Sequence, residues 1–316
     1  MTDLDVINNY IGPREAVRIA NAPCSYGAFE LTVGVLPNVP DPESVLAAIA
    51  RARYEGTELG PYGYLGDSTT LRERLEQHGL ALAGGFIPIR FSEPQYWEDD
   101  LHTLRRTLDL FGAANGSAAR AVLADAGSPE RMRLPGRAVS DPSIGLDQQG
   151  WKRVADGVAR AAELARARGF EPSFHHHTGT FVEAPWEIER LLELTDVGLL
   201  LDTGHLALGG GEPAEALHAW AERINHLHVK DVNGDILAGV IADGADMPEA
   251  WRRGVFCELG TGDVDLNAFF DQLSRSTYSG WLVVEQDTVP ASAQDAVAAA
   301  TAQERNRTWL REHAGL

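Results

Sequence analysis

The feature that most narrows the folds open to this chain is an alternation repeated eight times: a short apolar run, then a longer amphipathic one. "AVRIANAP" (16–23) reads as a strand, and "DPESVLAAIARARYEG" as a helix with an acidic first turn and a glycine stop. "GTELG" (56–60) is followed by "STTLRERLEQHG", and "LALAGGFIPI" (80–89) by "EDDLHTLRRTLDLFGAANG". "AARAVLADAG" (118–127) leads through a polar loop, about 128 to 146, into "GWKRVADGVARAAELARARG". The second half keeps the rhythm. "FEPSFHHH" precedes "PWEIERLLELT", and "VGLLLDTGH" precedes "EPAEALHAWAERI". "INHLHVKDV" is followed by a loop and "LNAFFDQLSRS", and "GWLVVEQD" by "AQDAVAAATAQERNRTWLREHAG". Apolar strands separated by helices predict a parallel sheet covered by helices. Eight units predict an α/β fold closed into a (β/α)8 TIM barrel. No linker rich in Pro, Ser or charge divides the 316 residues, so one domain, 1–316, is expected, with a short N-terminal extension of about residues 1–15.

Charge and composition remove several function classes. The net charge is −19, from 46 acids against 27 bases. That sign disfavours nucleic acid and anionic membranes as partners. No apolar run approaches the roughly 20 residues of a membrane helix, and the N-terminus lacks the basic start and apolar core of a signal peptide. Cys24 and Cys257 are the only cysteines, which suits a reducing cytoplasm. There is no Walker-type phosphate loop and no HExxH, and Ser25 in "CSYG" has no nucleophile elbow.

The site of such a barrel lies at the C-terminal mouth of its strands. Strand two ends at Glu58, strand five runs into His175, His176 and His177, and strand six ends at Asp202 with His205 three residues on. Strand seven carries His226, His228 and Lys230, and strand eight ends at Glu285 and Asp287. Alternate side chains on a strand face opposite sides. Leu227 and Val229 therefore suit the helix layer, and His226, His228 and Lys230 face the barrel interior. The same parity turns His175 and His177 inward and His176 away. Asp202 alone would serve equally as a helix cap, and a single histidine as a hydrogen-bonded core residue. Together, buried carboxylates and imidazoles at one mouth need a compensating cation. Their oxygen and nitrogen donors suit one divalent metal ion, Mn²⁺, Co²⁺, Mg²⁺, Fe²⁺ or Zn²⁺.

These strand ends resemble the xylose-isomerase-like sugar isomerase/epimerase superfamily of TIM barrels, and within it the inosose dehydratase branch. The pieces that carry the resemblance are "NAPCSYGAFE", "GTELGPYGYLG", "FHHHTGTFVE", "LLLDTGHLALGGG", "INHLHVKDV" and "GWLVVEQD", spread over residues 16 to 312. The resemblance implies a metal, Mn²⁺ or Co²⁺ favoured, held by Asp202, His228 and Glu285. A fourth ligand follows strand five: Glu183 first, His177 as the alternative. Glu183 is itself a departure, because dehydratase-like sequences often carry an amide there.

The implied activity is that of a lyase or isomerase acting on a keto-polyol, such as 2-keto-myo-inositol, through an enediolate. His177, His205, Glu58 and Lys230 are the candidate bases. His177 is the first choice for proton transfer, beside Glu183 and Glu285, with Glu58, His205, His226 and Lys230 binding substrate. The same intermediate serves a keto-sugar isomerase or epimerase, or a subunit that eliminates from a 3-keto-C-glycoside beside a small partner chain. A sugar-binding barrel without catalysis is the non-enzymatic alternative. A homo-oligomer stays open.

Overall fold

The computed structural model describes residues 17–316, and the expected N-terminal extension falls outside them. The first half contains β1 (Val17–Asn21), α1 (Pro42–Arg51), β2 (Gly56–Glu58), α2 (Thr70–His78), β3 (Ala81–Ile89), α3 (Trp97–Ala113) and β4 (Arg120–Asp125). The middle adds α4 (Pro129–Met132), α5 (Gln148–Ala167), β5 (Pro172–His175), α6 (Pro185–Leu194), β6 (Gly198–Asp202), α7 (Thr203–Leu208), α8 (Pro213–Ala219) and β7 (Ile224–Val229). Then come β8 (Asp231–Val232), α9 (Gly234–Ala242), α10 (Met247–Arg252), β9 (Phe256–Cys257), α11 (Leu266–Arg275), β10 (Gly280–Val284) and α12 (Ala293–Trp309).

Eight parallel strands close in the order β1-β10-β7-β6-β5-β4-β3-β2, the barrel expected from the alternation. Closure is in register, with Val17 opposite Gly280 and Asn21 opposite Val284. Helices start where the sequence supplies caps. The side chains of Asp41, Asp147, Asp265 and Ser292 accept a backbone N–H in the first turn of the helix that each precedes.

Two cores follow from strand parity. The large one lies between barrel and helices and includes Leu123, Phe174, Leu199, Leu201, Leu227, Val229, Leu282 and Val284. The small one fills the barrel with Ala20, Ala22, Ala83, Trp281 and Val283. Trp281 takes most of that space because its neighbours are small. A Cβ on Gly56 would stand 2.7 Å from the Trp281 ring. With the interior plugged at this level, the inward-facing ionisable side chains gather at the mouth above it.

Two segments differ from expectation. The loop read over 128–146 carries α4, whose first turn is capped by Ser128 and whose Arg131 is buried. The loop after β7 folds into an antiparallel pair, β8 with β9, enclosing α9 and α10. Asn233 and Asp246 cap those two helices, so the local signals were present in "VNGDILAGVIADGADMPEAWRRG". Both helices are too short for a clear apolar period.

Candidate active site

Four adjacent strands bring a set of buried donors together at the mouth. Asp202 ends β6 and divides its carboxylate between two tasks. Its Oδ1 accepts the His205 N–H at 2.9 Å, capping α7, and its Oδ2 accepts from Lys230 Nζ at 2.7 Å. The capping and cluster roles weighed from the sequence therefore coexist. Glu285, just past β10, accepts from the same ammonium at 2.5 Å. His228 Nδ1 lies 2.9 Å from Glu285 Oε2 and 3.6 Å from Asp202 Oδ2. His175 Nε2 lies 3.7 Å from Asp202 Oδ2. His175, Asp202 and His228 form one of the groups whose ligand atoms are close enough to share a metal.

The tautomers follow from partners that only accept. His228 Nε2–H donates to Glu58 Oε1 at 3.0 Å, and its buried Nδ1 faces the two carboxylates, which can only accept, at 2.9 Å from Glu285 Oε2. His175 Nδ1–H donates to the His176 carbonyl at 2.5 Å, so its Nε2 lone pair faces Asp202. Two imidazole nitrogens aimed at two buried carboxylates fit a divalent transition metal that would take the place of the His228 Nδ1 proton. Burial alone would strip His228 of charge, yet Glu285 and Glu58 raise its pKa well above the usual value. That negative field suits a cation equally.

Glu58 is the anchor on the opposite wall. Its Oε1 accepts from His226 at 2.9 Å as well as from His228. Burial would raise its pKa, and the two imidazoles hold it well below the usual carboxylate range. Gly84 makes room for it, since a Cβ there would lie 3.0 Å from Glu58 Oε1.

His177 lies beyond the end of β5 and borders the cavity. Its Nδ1–H donates to the Thr178 carbonyl at 2.9 Å, so Nε2 carries the lone pair. Burial, then the nearby Lys230 charge, lowers its pKa to about 4, which keeps the ring neutral. His205 stacks against it with centroids 3.8 Å apart. The Thr178 N–H donates to His205 Nδ1 at 3.3 Å, so His205 bears its proton on Nε2, a buried atom without a partner, 4.0 Å from Asp287 Oδ2.

The cavity above these groups holds about 570 Å³. Glu58, His175, His177, His228, Lys230 and Glu285 border it at the polar end, and Phe29, Phe86, Met132 and Trp251 form apolar walls.

Most of the expected residues are thus brought together, and three are placed differently. Glu183 is not gathered with Asp202, His228 and Glu285. Its Oε2 accepts the Gly179 N–H at 2.6 Å and lies 3.7 Å from Arg131 Nη2. The turn at Thr178 and Gly179 folds the chain back, and buried Arg131 draws the carboxylate toward α4. The strand-five place in the cluster is filled by His175, which faces inward as parity required; His177, the alternative, borders the cavity outside the His175–Asp202–His228 group. His226 does not border the cavity, because it is turned to Glu58, and His205 lies behind His177. His176 faces away and accepts the Asp202 N–H at 3.2 Å.

Two further groups at the mouth were passed over in the sequence. Cys24 groups with Glu285 and Asp287, although nothing in "CSYG" marks it. Asp125 ends β4 and borders the cavity. The rule that pointed to Glu58 and Asp202, an acid at a strand end, points to Asp125 too.

Comparison with known proteins agrees with this architecture. Residues 46–313 match the model of the xylose isomerase-like TIM barrel family. Inosose dehydratase from Geobacillus kaustophilus is 36% identical over 266 residues, 83% of this chain and 85% of that protein. Among solved structures, the IOLI protein with a bound zinc atom superposes with a TM-score of 0.66 at 13% identity, covering 95% of this chain and all of that one. D-allulose 3-epimerase from Methylomonas sp. reaches 0.65 at 14% identity, over 94% and 98% of the two chains. At such identities the structures speak for the fold, while the family match and the dehydratase relative speak for descent: this chain belongs to the xylose isomerase-like TIM barrel family.

Proposed function

We propose that the protein is a metal-dependent enzyme of the inosose dehydratase type, removing water from a cyclic keto-polyol such as 2-keto-myo-inositol. One observation carries this reading. The Nδ1 atom of His228, the Nε2 lone pair of His175 and the Asp202 and Glu285 carboxylates converge beside a neutral His177, at the polar end of a cavity sized for a small molecule. The relation to inosose dehydratases supplies the substrate class.

His175, Asp202, His228 and Glu285 would hold the ion, Mn²⁺ or Co²⁺ in this reading, in place of the Glu183-containing set expected from the sequence. When bound, such an ion supplies Lewis-acid polarisation of the ketone and of its neighbouring hydroxyl. The chain's own groups do the proton work. The His177 Nε2 lone pair takes the proton from the carbon next to the ketone. The electron pair left on that carbon forms the new C=C bond as the C–O bond of the β-hydroxyl breaks. The departing hydroxide takes the proton that His177 has just gained and leaves as water, which returns His177 to its neutral form. Lys230 and Glu58 hold substrate oxygens and hydroxyls at the polar end. The apolar walls keep bulk water from the carbanion.

The decisive assay incubates the protein with Mn²⁺ or Co²⁺ and 2-keto-myo-inositol in D₂O. Dehydration, with deuterium exchange at the α-carbon, supports the proposal, and neither under any of these metals rejects it. His177→Gln should lower kcat by about 10²–10⁴-fold with metal content unchanged. Exchange without water loss would favour the isomerase or epimerase chemistry that uses the same proton transfer.

A further inference from the structure

Asp125, at the end of β4, is a carboxyl at the mouth that no step above uses. It is 2% exposed, yet it borders the cavity. Its Oδ2 is fixed by two backbone donors, the N–H of Phe181 at 2.9 Å and that of Gly127 at 3.1 Å. Its Oδ1 is buried with no partner. A buried carboxylate oxygen left unsatisfied costs free energy unless something completes it. The neighbours on this side are Pro88, Ala126, Ser128 and Met132, and none donates to Oδ1. The two N–H donors set the carboxylate plane and with it the direction of Oδ1.

We propose that Asp125 Oδ1 accepts a hydrogen bond from a substrate hydroxyl, making Asp125 a specificity-determining residue for a polyol. β4 pairs with β5 beside His175, and it lies two, three and four strands away from those that carry Asp202, His228 and Glu285. A ring whose ketone lies among those four residues turns its distal hydroxyls toward β4. A carboxylate selects a donor there and rejects a ring position that carries a ketone, an ether or hydrogen. This rests on the keto-polyol reading of the site.

The test is Asp125→Asn. The new amide oxygen can keep both backbone donors, which turns the NH₂ group toward the cavity. The backbone contacts survive, and the atom facing the substrate changes from acceptor to donor. The expected result is an unchanged Tm and metal content, with KM for 2-keto-myo-inositol raised about 10- to 100-fold and kcat changed less than threefold. A distal-deoxy analogue that lacks the contacted hydroxyl should show the same KM with wild type and variant. A variant with wild-type KM for the full substrate overturns the proposal, as does an equal KM increase for every deoxy analogue. Should D125N lose Tm, Asp125→Ser, which also keeps an acceptor for the two N–H groups, replaces it with the same readout. Failure of the wild type to act on any keto-polyol would strike the parent reading. A normal wild type with an indifferent variant strikes this one alone.

Discussion

Lys230 shows how one side chain can be both a structural cation and part of the candidate site. Its ammonium is buried between Asp202 and Glu285, with Asp287 3.9 Å away. Burial would discharge it, but Asp202, Asp287 and Glu285 hold its pKa well above the usual value. Without this charge, three carboxylates share a low-dielectric pocket with only imidazoles for company. Removing one partner of such a buried set typically costs about 3–5 kcal/mol. Lys230→Met should therefore be strongly destabilised in the presence of a chelator. A divalent cation at the same carboxylates would compensate, so saturating Mn²⁺ should restore most of the lost Tm and raise it further than it does in wild type. Denaturation with and without EDTA measures both. A variant as stable as wild type in EDTA would show that the ammonium does not carry the balance assigned to it.

At the scale of elements, the β5–α6 connection decides which groups meet the site. His175 ends the strand, the chain turns at Gly179 with φ +84°, and Glu183 returns to pair with Gly179 N–H near Arg131. Burial raises Glu183 to about 7, although Arg131 and the Gly179 N–H oppose that rise. The folded state therefore holds a proton that the unfolded chain, with an ordinary carboxyl pKa of about 4.3, has released. The stability linked to Glu183 is complete below about pH 4.3 and is lost as pH rises through about 7. Glu183→Gln keeps an acceptor for Gly179 and cannot ionise, and Arg131 retains its two bonds to Glu187. The variant should be more stable than wild type by about 2 kcal/mol at pH 8, with a smaller gain at pH 5. Its metal content should be unchanged, because Glu183 lies outside the cluster. Urea titrations at the two pH values, with metal analysis, check both; loss of bound metal in the variant would restore Glu183 to the ligand set.

This connection also marks the limit of what local pattern reveals. Strand parity was enough to aim His175, His177, His228 and Lys230 inward, because a strand's side chains alternate whatever surrounds them. The rule that sites sit at strand ends picked Glu58, Asp202 and Glu285 for the same reason. It could not place Glu183, whose direction is set by an irregular turn and by Arg131 from a different βα loop. Nor could it separate His226, which faces the barrel yet reaches Glu58 before it reaches the cavity. Those outcomes depend on which side chain arrives first in three dimensions.

For the whole molecule, the barrel order divides the mouth into two halves. β10, β7, β6 and β5 are consecutive neighbours, and they or the residues just after them carry Glu285, His228, Asp202 and His175. β2, β3 and β4 carry Glu58, Phe86 and Asp125, and the loop after β1 carries Phe29. An ion bound on the first half would tie four strands to one another and leave the second half to read the substrate. Binding to the folded state alone stabilises by mass action, about 2.7 kcal/mol at a hundredfold excess over Kd. The added protection should be uneven, because the strands opposite gain no new bond. Hydrogen exchange should therefore slow with Mn²⁺ at the mouth-side amides of β5, β6, β7 and β10, while amides of β2 and β3, which pair with none of those four strands, keep their rates wherever exchange proceeds by local opening. Equal slowing in both halves, or none in either, would contradict a centre confined to four adjacent strands. The same experiment on Asp202→Asn, which keeps an oxygen to cap α7, should lose the Mn²⁺ effect while the barrel stays folded.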